Sequence, residues 1–319
     1  MVQKAVPIAI IALLVGVAAG YVLQLPTVNT LQGDISALRS EVNAIKGQLR
    51  TVRFTFTGLE PLAEGHYEVW AIFPDETKLS LGAFNFDPQG NTISLAGYRI
   101  NDFTSSRDLR DARKIAITIE PRGDKDPGPS GIIMLIGDIS NGRANLSFKA
   151  IDLSSASGQF ILATPSAGGK DPTSGIWFLR KEGDKLSIGL QLPSLVAGWK
   201  YEGWAVTQGV PLSTGKFSSA DKADESAPYS ESGATPPFPG EDFFRNAPPG
   251  MSFPVNLADG SSLAVITLEP DINGSDPTGA GPFSIKFLVA HIAQRLAPLT
   301  NSDMTLDLSG LPSGTASLA

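Results

Sequence analysis

Apolar positions along the chain pass through successive regimes of spacing. Ala5 to Leu25 is a run of twenty-one residues without a charged side chain. At about 1.5 Å of rise per residue, a helix of that length crosses a hydrocarbon core of roughly 30 Å. The run predicts one membrane span over 5–25. From Val28 the apolar residues recur alternately three and four apart, at Leu31, Ile35, Leu38, Val42, Ile45, Leu49 and Val52. This spacing is a heptad seam. With Val28 at position a, Asp34 and Glu41 stand five residues before Arg39 and Lys46, the offset that pairs charges across a parallel coil. The pattern predicts a coiled-coil stalk over 26–52, about 37 Å long from Val28 to Val52. Leu31, Ile35, Leu38, Val42, Ile45 and Leu49 are its interface, and a homo-oligomer is the expected partner state. A single amphipathic helix is the alternative. From Val52-Arg53-Phe54-Thr55-Phe56 onward the period is two, and short strands separated by Gly, Pro, Asn and Asp continue to the end.

Charge sets the expected orientation. Lys4 precedes the uncharged run, and no Lys or Arg follows until Arg39. That bias places residues 1–4 in the cytoplasm as a stub and everything after Leu25 outside, in a single-pass cell-membrane protein. A cleaved secretory signal is the competing reading, since Val17-Ala18-Ala19-Gly20 offers small residues to a peptidase. The run is longer than a typical signal core, which favours an uncleaved anchor. Prepilin-type processing near Lys4 and Ala5 is a third reading.

Composition narrows the chemistry. The 319 residues include no Cys and only 2 His, which removes disulfides, thiol nucleophiles, thiolate metal sites and most zinc or haem sites. A net charge of -7 argues against nucleic acid as a partner. With 33 Gly and 24 Pro the backbone turns often, as in a mainly β protein.

The β region repeats itself. Leu59-Glu60-Pro61-Leu62, Gly65 and Tyr67-Glu68-Val69-Trp70 return as Leu192-Pro193-Ser194-Leu195, Gly198 and Tyr201-Glu202-Gly203-Trp204. Gly82-Ala83-Phe84 is matched by Gly215-Lys216-Phe217. Ile117-Thr118-Ile119-Glu120-Pro121 with Asp126-Pro127 is matched by Ile266-Thr267-Leu268-Glu269-Pro270 with Asp276-Pro277-Thr278. The reading is of two related β-sandwich domains, 53–150 and 151–301, with a C-terminal strand or tail over 302–319. A hairpin around Ile161-Leu162-Ala163-Thr164-Pro165 opens the second copy and has no clear counterpart in the first.

Together these motifs resemble the extracytoplasmic C-terminal domain of anti-sigma-K factors, in two copies. The resemblance implies an all-β fold outside the cytoplasm, joined through one membrane helix to a cytoplasmic sigma-binding domain. Only Met1 to Lys4 precede the span here, so the sigma-binding part is expected to be missing and the regulatory role does not carry over.

Catalytic templates are not met: there is no Gly-x-Ser-x-Gly elbow, His-Glu-x-x-His helix or phosphate-binding glycine loop. No enzyme activity and no cofactor are expected. Calcium is the one metal considered, with Asp124, Asp126, Asp271, Asn273 and Asp276 as weak candidates, since their oxygens lack regular ligand spacing. The long polar stretch Ser218–Pro254 is a candidate contact surface through Phe238, Phe243 and Phe244, for a surface protein or glycan, unless those rings anchor the loop to its own domain. The functional expectation is non-enzymatic binding, sensing or cell-surface structure. The alternative is a subunit of a pilus-like filament, assembled by its N-terminal helix or by strand donation. Met304–Pro312 reads as the opening of a third, incomplete unit, expected to dock on a sheet edge of its own chain or of a neighbour.

Overall fold

The computed structural model describes residues 28–46, 50–272 and 276–319. The predicted span Ala5–Leu25 and the stub before it lie outside them. Among the described residues no helix is long and apolar enough to cross a membrane.

Helix α1 (Val28–Lys46) covers part of the predicted stalk, and its Leu31, Ile35 and Leu38 are exposed. The side chains of Val42 and Ile45, and Leu49 altogether, lie outside the described residues. The seam does not extend to Val52 as expected. Strand β1 (Thr51–Thr57) begins there, and Val52 is fully buried in it. Alternation in Val52-Arg53-Phe54-Thr55-Phe56 outweighs the heptad because its apolar residues then share one face of a sheet.

Residues from Leu49 to Ala319 form one compact unit with a continuous apolar core. Its first half contributes β1, β2 (Gly65–Ile72), β3 (Lys78–Phe86), β4 (Thr92–Ser94), β5 (Asp102–Thr104), β6 (Lys114–Pro121), β7 (Ile133–Ser140) and β8 (Arg143–Ser147). The second contributes β9 (Ser157–Leu162), β10 (Gly175–Trp177), β11 (Leu179–Glu182), β12 (Lys185–Ile188), β13 (Leu190–Gln191), β14 (Trp199–Thr207), β15 (Val210–Phe217), β16 (Gly240–Asp242), β17 (Leu263–Pro270), β18 (Lys286–His291) and β19 (Ser302–Leu306). The last strand is β20 (Ser313–Leu318). Among the described residues these make two nine-stranded sheets, and β11 and β12 pair as a separate hairpin. The protein is mainly β, as its periodicity and turn composition predict.

The first sheet runs β4-β3-β2-β6-β7-β8-β20-β1-β5, and the second runs β15-β14-β17-β18-β19-β9-β10-β16 with β13 also on β9. Aligning them places β20 where β9 stands: each lies between a strand closing the meander (β8 or β19) and the strand that precedes the Tyr-x-x-Trp strand (β1 or β13). The strand expected over Met304–Pro312 is instead the end of β19, inside the second sheet, followed by a turn, and the strand that closes the chain is β20. It is an interior strand of the first sheet, filling the place that the first half's own sequence leaves empty. Its ladders are taken on both sides, so no free strand is available here for donation to a neighbour.

Sequence supports this equivalence in a different register from the one expected above. Asp307-Leu308-Ser309, then Ser313-Gly314, corresponds to Asp152-Leu153-Ser154, then Ser157-Gly158. In both, a backbone N–H of the serine donates to the aspartate two residues before it. Both glycines are required by close packing: a Cβ on Gly314 would meet the Thr55 carbonyl oxygen at 2.7 Å, and one on Gly158 would meet Leu190 and Met304 at 3.0 Å.

Candidate functional site

In β2 and β14 successive side chains point to opposite faces of the sheet. Tyr67 and Val69 enter the core, where Tyr67 stacks on Phe84 and its hydroxyl donates to the Glu60 carbonyl at 2.9 Å. Tyr201 does the same against the Pro193 carbonyl at 2.8 Å. Residues of the other parity, Glu68 and Trp70 or Glu202 and Trp204, meet Thr and Glu of the neighbouring β6 or β17. Both rings of each Tyr-x-x-Trp are buried.

This second face carries a polar cluster that is repeated bond for bond. Trp70 Nε1 donates to Thr118 Oγ1 at 2.8 Å, and Trp204 Nε1 to Thr267 Oγ1 at 2.9 Å. Each threonine hydroxyl then donates to a glutamate two residues on, Glu120 or Glu269. Ser80 donates to Glu68 as Ser213 does to Glu202. A buried carboxylate in such a place needs donors, and a backbone N–H supplies one in each copy: Ser130 to Glu120 and Phe283 to Glu269, both at 3.0 Å.

The two halves differ in what surrounds the cluster. Opposite Glu68 stands Ala83, whereas opposite Glu202 stands Lys216. Lys216 Nζ lies 2.8 Å from Asp276 Oδ2, with both side chains about four-fifths buried. Asp276 Oδ1 accepts from Thr278 N–H at 2.8 Å and from Thr278 Oγ1 at 2.6 Å. The long insertion covers this face as well. Glu225 N–H donates to the Lys216 carbonyl at 2.8 Å, and a Cβ on Gly215 would meet Asp224 Cγ at 2.8 Å. Gly215 also holds φ at +107°, which a side chain would strain.

Glu269 is fully buried and Glu202 nearly so. Oxygens of Glu202, Glu269 and Asp276 lie within 4.8 Å of one another, the one such grouping of acids among the described residues. Burial pushes Glu202 up to about 7 and Glu269 up to about 8, so near neutral pH Glu269 holds its proton while Glu202 exchanges one. Glu269 Oε2 is buried without a hydrogen-bond partner. In the first copy both Glu120 oxygens accept from Ser130 N–H. The second cluster thus combines acids whose ionisation is shifted up toward neutral pH, a lysine against a carboxylate, and one buried oxygen without a donor.

The calcium candidates do not form one ligand set. Asp124, Asp126 and Asp271 line a cleft of about 350 Å3 where the two halves meet, each with at least one carboxylate oxygen already in use. Asp124 Oδ1 accepts from Asp126 N–H, Asp126 Oδ1 accepts from Gly128 N–H, and Asp271 pairs with Lys200 at 3.0 Å. Asp276 pairs with Lys216, away from that cleft, and Asn273 lies outside the described residues. Glu202 and Glu269, which do approach Asp276, escape a sequence search because sheet register, not chain spacing, joins them.

The aromatic residues of the insertion sit largely inside. Phe243 is fully buried against Tyr229 and Phe253, and Phe238 packs on Ile161, Trp177 and Leu179. Phe244 is half-buried. Phe243 in particular is an anchor and not a docking residue. Around it, Glu241 and Asp242 are buried with their oxygens accepting from Ser230, Ser166 and Trp177.

A family model described as the C-terminal part of the anti-sigma-K factor rskA matches residues 6–133. No curated protein matches the chain. The matched stretch runs from the uncharged segment through α1 and β1 to β6, and ends at the first residue of β7. Over that stretch the chain is similar to the C-terminal region of anti-sigma-K factors and carries an anti-sigma-factor-like domain on a mainly β fold.

Proposed function

We propose that this protein is a membrane-anchored, extracytoplasmic, non-enzymatic binding or sensing protein, built from two copies of an anti-sigma-K-like β domain. The observation that carries the reading is the extent of the family match. It begins within the uncharged run and continues without a break into the first sheet. A domain of this kind therefore follows an apolar segment long enough to span a bilayer, with Lys4 on its near side. The second copy is supported by the repeated Trp–Thr–Glu cluster and by the matching strand orders. Exposed Leu31, Ile35 and Leu38 on α1 suit association of identical chains next to the membrane.

Protease added to intact cells or spheroplasts should digest the β region, leaving a short membrane-protected fragment. Full protection until lysis would overturn the orientation. For the stalk, the fragment from Thr27 onward should sediment as an oligomer, and Leu38→Asp with Ile45→Asp should render it monomeric. A fragment already monomeric at high concentration would remove the coiled-coil part of the reading and leave the topology standing.

A further inference from the structure

The lysine and the acids of the second cluster have a chemistry that the first cluster lacks. Lys216 projects from β15 directly across the ladder from Glu202, and its Nζ is 2.8 Å from Asp276 Oδ2. Cγ is one bond beyond Oδ2, so the ion pair brings the lysine nitrogen and the carboxyl carbon together for reaction. Asp276 is held for it. Thr278 binds Oδ1 through both its N–H and its hydroxyl, which draws electron density from Cγ and leaves Oδ2 as the oxygen facing the lysine. Oxygens of the two glutamates lie within 4.8 Å of an Asp276 oxygen, a distance that one bridging water spans, and Glu202 stands across the ladder from Lys216. Oε1 of Glu269 is fixed by Thr267 and Phe283, while its Oε2 is buried and has no partner. A protonated carboxyl at this position places a donor beside the aspartate.

We propose that Lys216 and Asp276 condense to an intramolecular isopeptide bond, with Glu202 and Glu269 passing the protons. The step balances within the chain. Starting from ammonium and carboxylate, with Glu202 ionised and Glu269 protonated, Nζ gives up one proton to Glu202, and the free amine attacks Cγ. The Nζ–Cγ bond forms, the Cγ–Oδ2 bond breaks, and Oδ2 leaves as water with two protons from the original ammonium. The third stays on the amide nitrogen. No oxidant, nucleotide or metal takes part. A neutral amide replaces two opposite charges held in a largely dry site, where an ion pair bears a desolvation cost. The bond would close the chain around the insertion, tying β15 to the turn after β17 across 60 positions. The first copy cannot form it, because Ala83 takes the place of Lys216. One cross-link per chain is expected.

The test is the intact mass of the full chain, denatured before measurement. The expected mass is one water below that of the sequence. Trypsin should no longer cut after Lys216, and the peptides containing Lys216 and Asp276 should be recovered joined. Lys216→Arg and Asp276→Ala should restore the full sequence mass, whereas Asp276→Asn should give the same bond with loss of ammonia. Glu269→Gln, folded by circular dichroism, should form the bond about a hundredfold more slowly or not at all. The unaltered chain at full sequence mass, still cut after Lys216 after prolonged incubation in its folded state at neutral pH, would overturn the proposal. If Glu269→Gln and Glu202→Gln together left the rate of bond formation unchanged, the proton-passing role of the glutamates would be wrong. Because this readout is a mass, it is independent of membrane orientation and of the stalk.

Discussion

The two halves solve the same packing problem with different materials. Each places a Tyr ring in the core, a Trp over a Thr–Glu pair on the other face, and a serine on a second glutamate. The first half takes an interior strand from the far end of the chain, whereas the second begins with its own. The second half carries an insertion over its polar face, and there Glu202 is buried, while the equivalent Glu68 is half-buried. One sheet motif thus tolerates both a borrowed strand and a covered acidic face. Hydrogen bonds within the ladder hold the shared grid, and the surroundings decide how its acids ionise.

Removal of residues 308–319 should have the largest effect, and an asymmetric one. It deletes β20 and leaves β19 in the second sheet, so that β1 is paired only with β5 and the edge of β8 is opened. The melting temperature should fall by more than about 10 °C. The milder change Ala316→Asp, which puts an unpaired charge at a fully buried position in β20, should strip hydrogen-exchange protection from β1 and β8 before β14 and β17. Equal loss in both halves would mean that the sheets do not fail separately.

The covered face should make stability depend on pH in an unusual direction. Burial pushes Glu241, Asp224 and Glu202 up to about 7, against unfolded values near 4. Between those limits the folded state binds more protons than the unfolded state, so stability falls as pH rises and levels off above the folded values. Denaturant unfolding at pH 5 and pH 8 should show the protein more stable at pH 5 by at least about 2 kcal/mol. Glu241→Gln should flatten the slope by nearly one proton.

The shared grid makes a symmetric prediction of intermediate size. Trp70→Phe and Trp204→Phe each lose one buried hydrogen bond to a threonine and some volume, at a cost of about 1–3 kcal/mol apiece. Thermal or denaturant melts should place the two variants close together. A wide gap would show that the copies are equivalent in shape only.

The smallest effect is expected from Ala83→Lys, which puts a lysine opposite Glu68 as Lys216 stands opposite Glu202. Glu68 is half-buried, and Asp126 is committed to Gly128 N–H. The new charge should change stability by less than about 0.5 kcal/mol and leave the intact mass at its substituted value. A second loss of water in this variant would show that the grid alone suffices for condensation.

Much of the frame could be read directly from residue order. The change to period two at Val52, the turn residues and the paired Tyr-x-x-Trp and Glu-Pro segments give a mainly β protein with internal repetition. Those signals are local, set by which face a side chain takes and which residues a turn accepts. The C-terminal strand was legible only in part. Alternation in Met304-Thr305-Leu306-Asp307-Leu308 marks a strand that proves to be β19, whereas β20 and its place between β8 and β1 depend on a counterpart, Ser157-Gly158, that lies far away and aligns weakly. The acidic cluster was not legible at all. Glu202, Lys216, Glu269 and Asp276 come from three strands and a turn, and no spacing along the chain brings them together.

By itself, then, the sequence determined the strand-forming segments, the repeated motifs and the uncharged run before them, because periodicity and turn chemistry act over a few residues. Only the tertiary structure decided that the last strand completes the first sheet, that Phe243 is an anchor, and that Lys216 meets Asp276 beside two buried glutamates. Pairing register, burial and the exclusion of water are properties of segments distant in the chain, and they exist only once those segments have met.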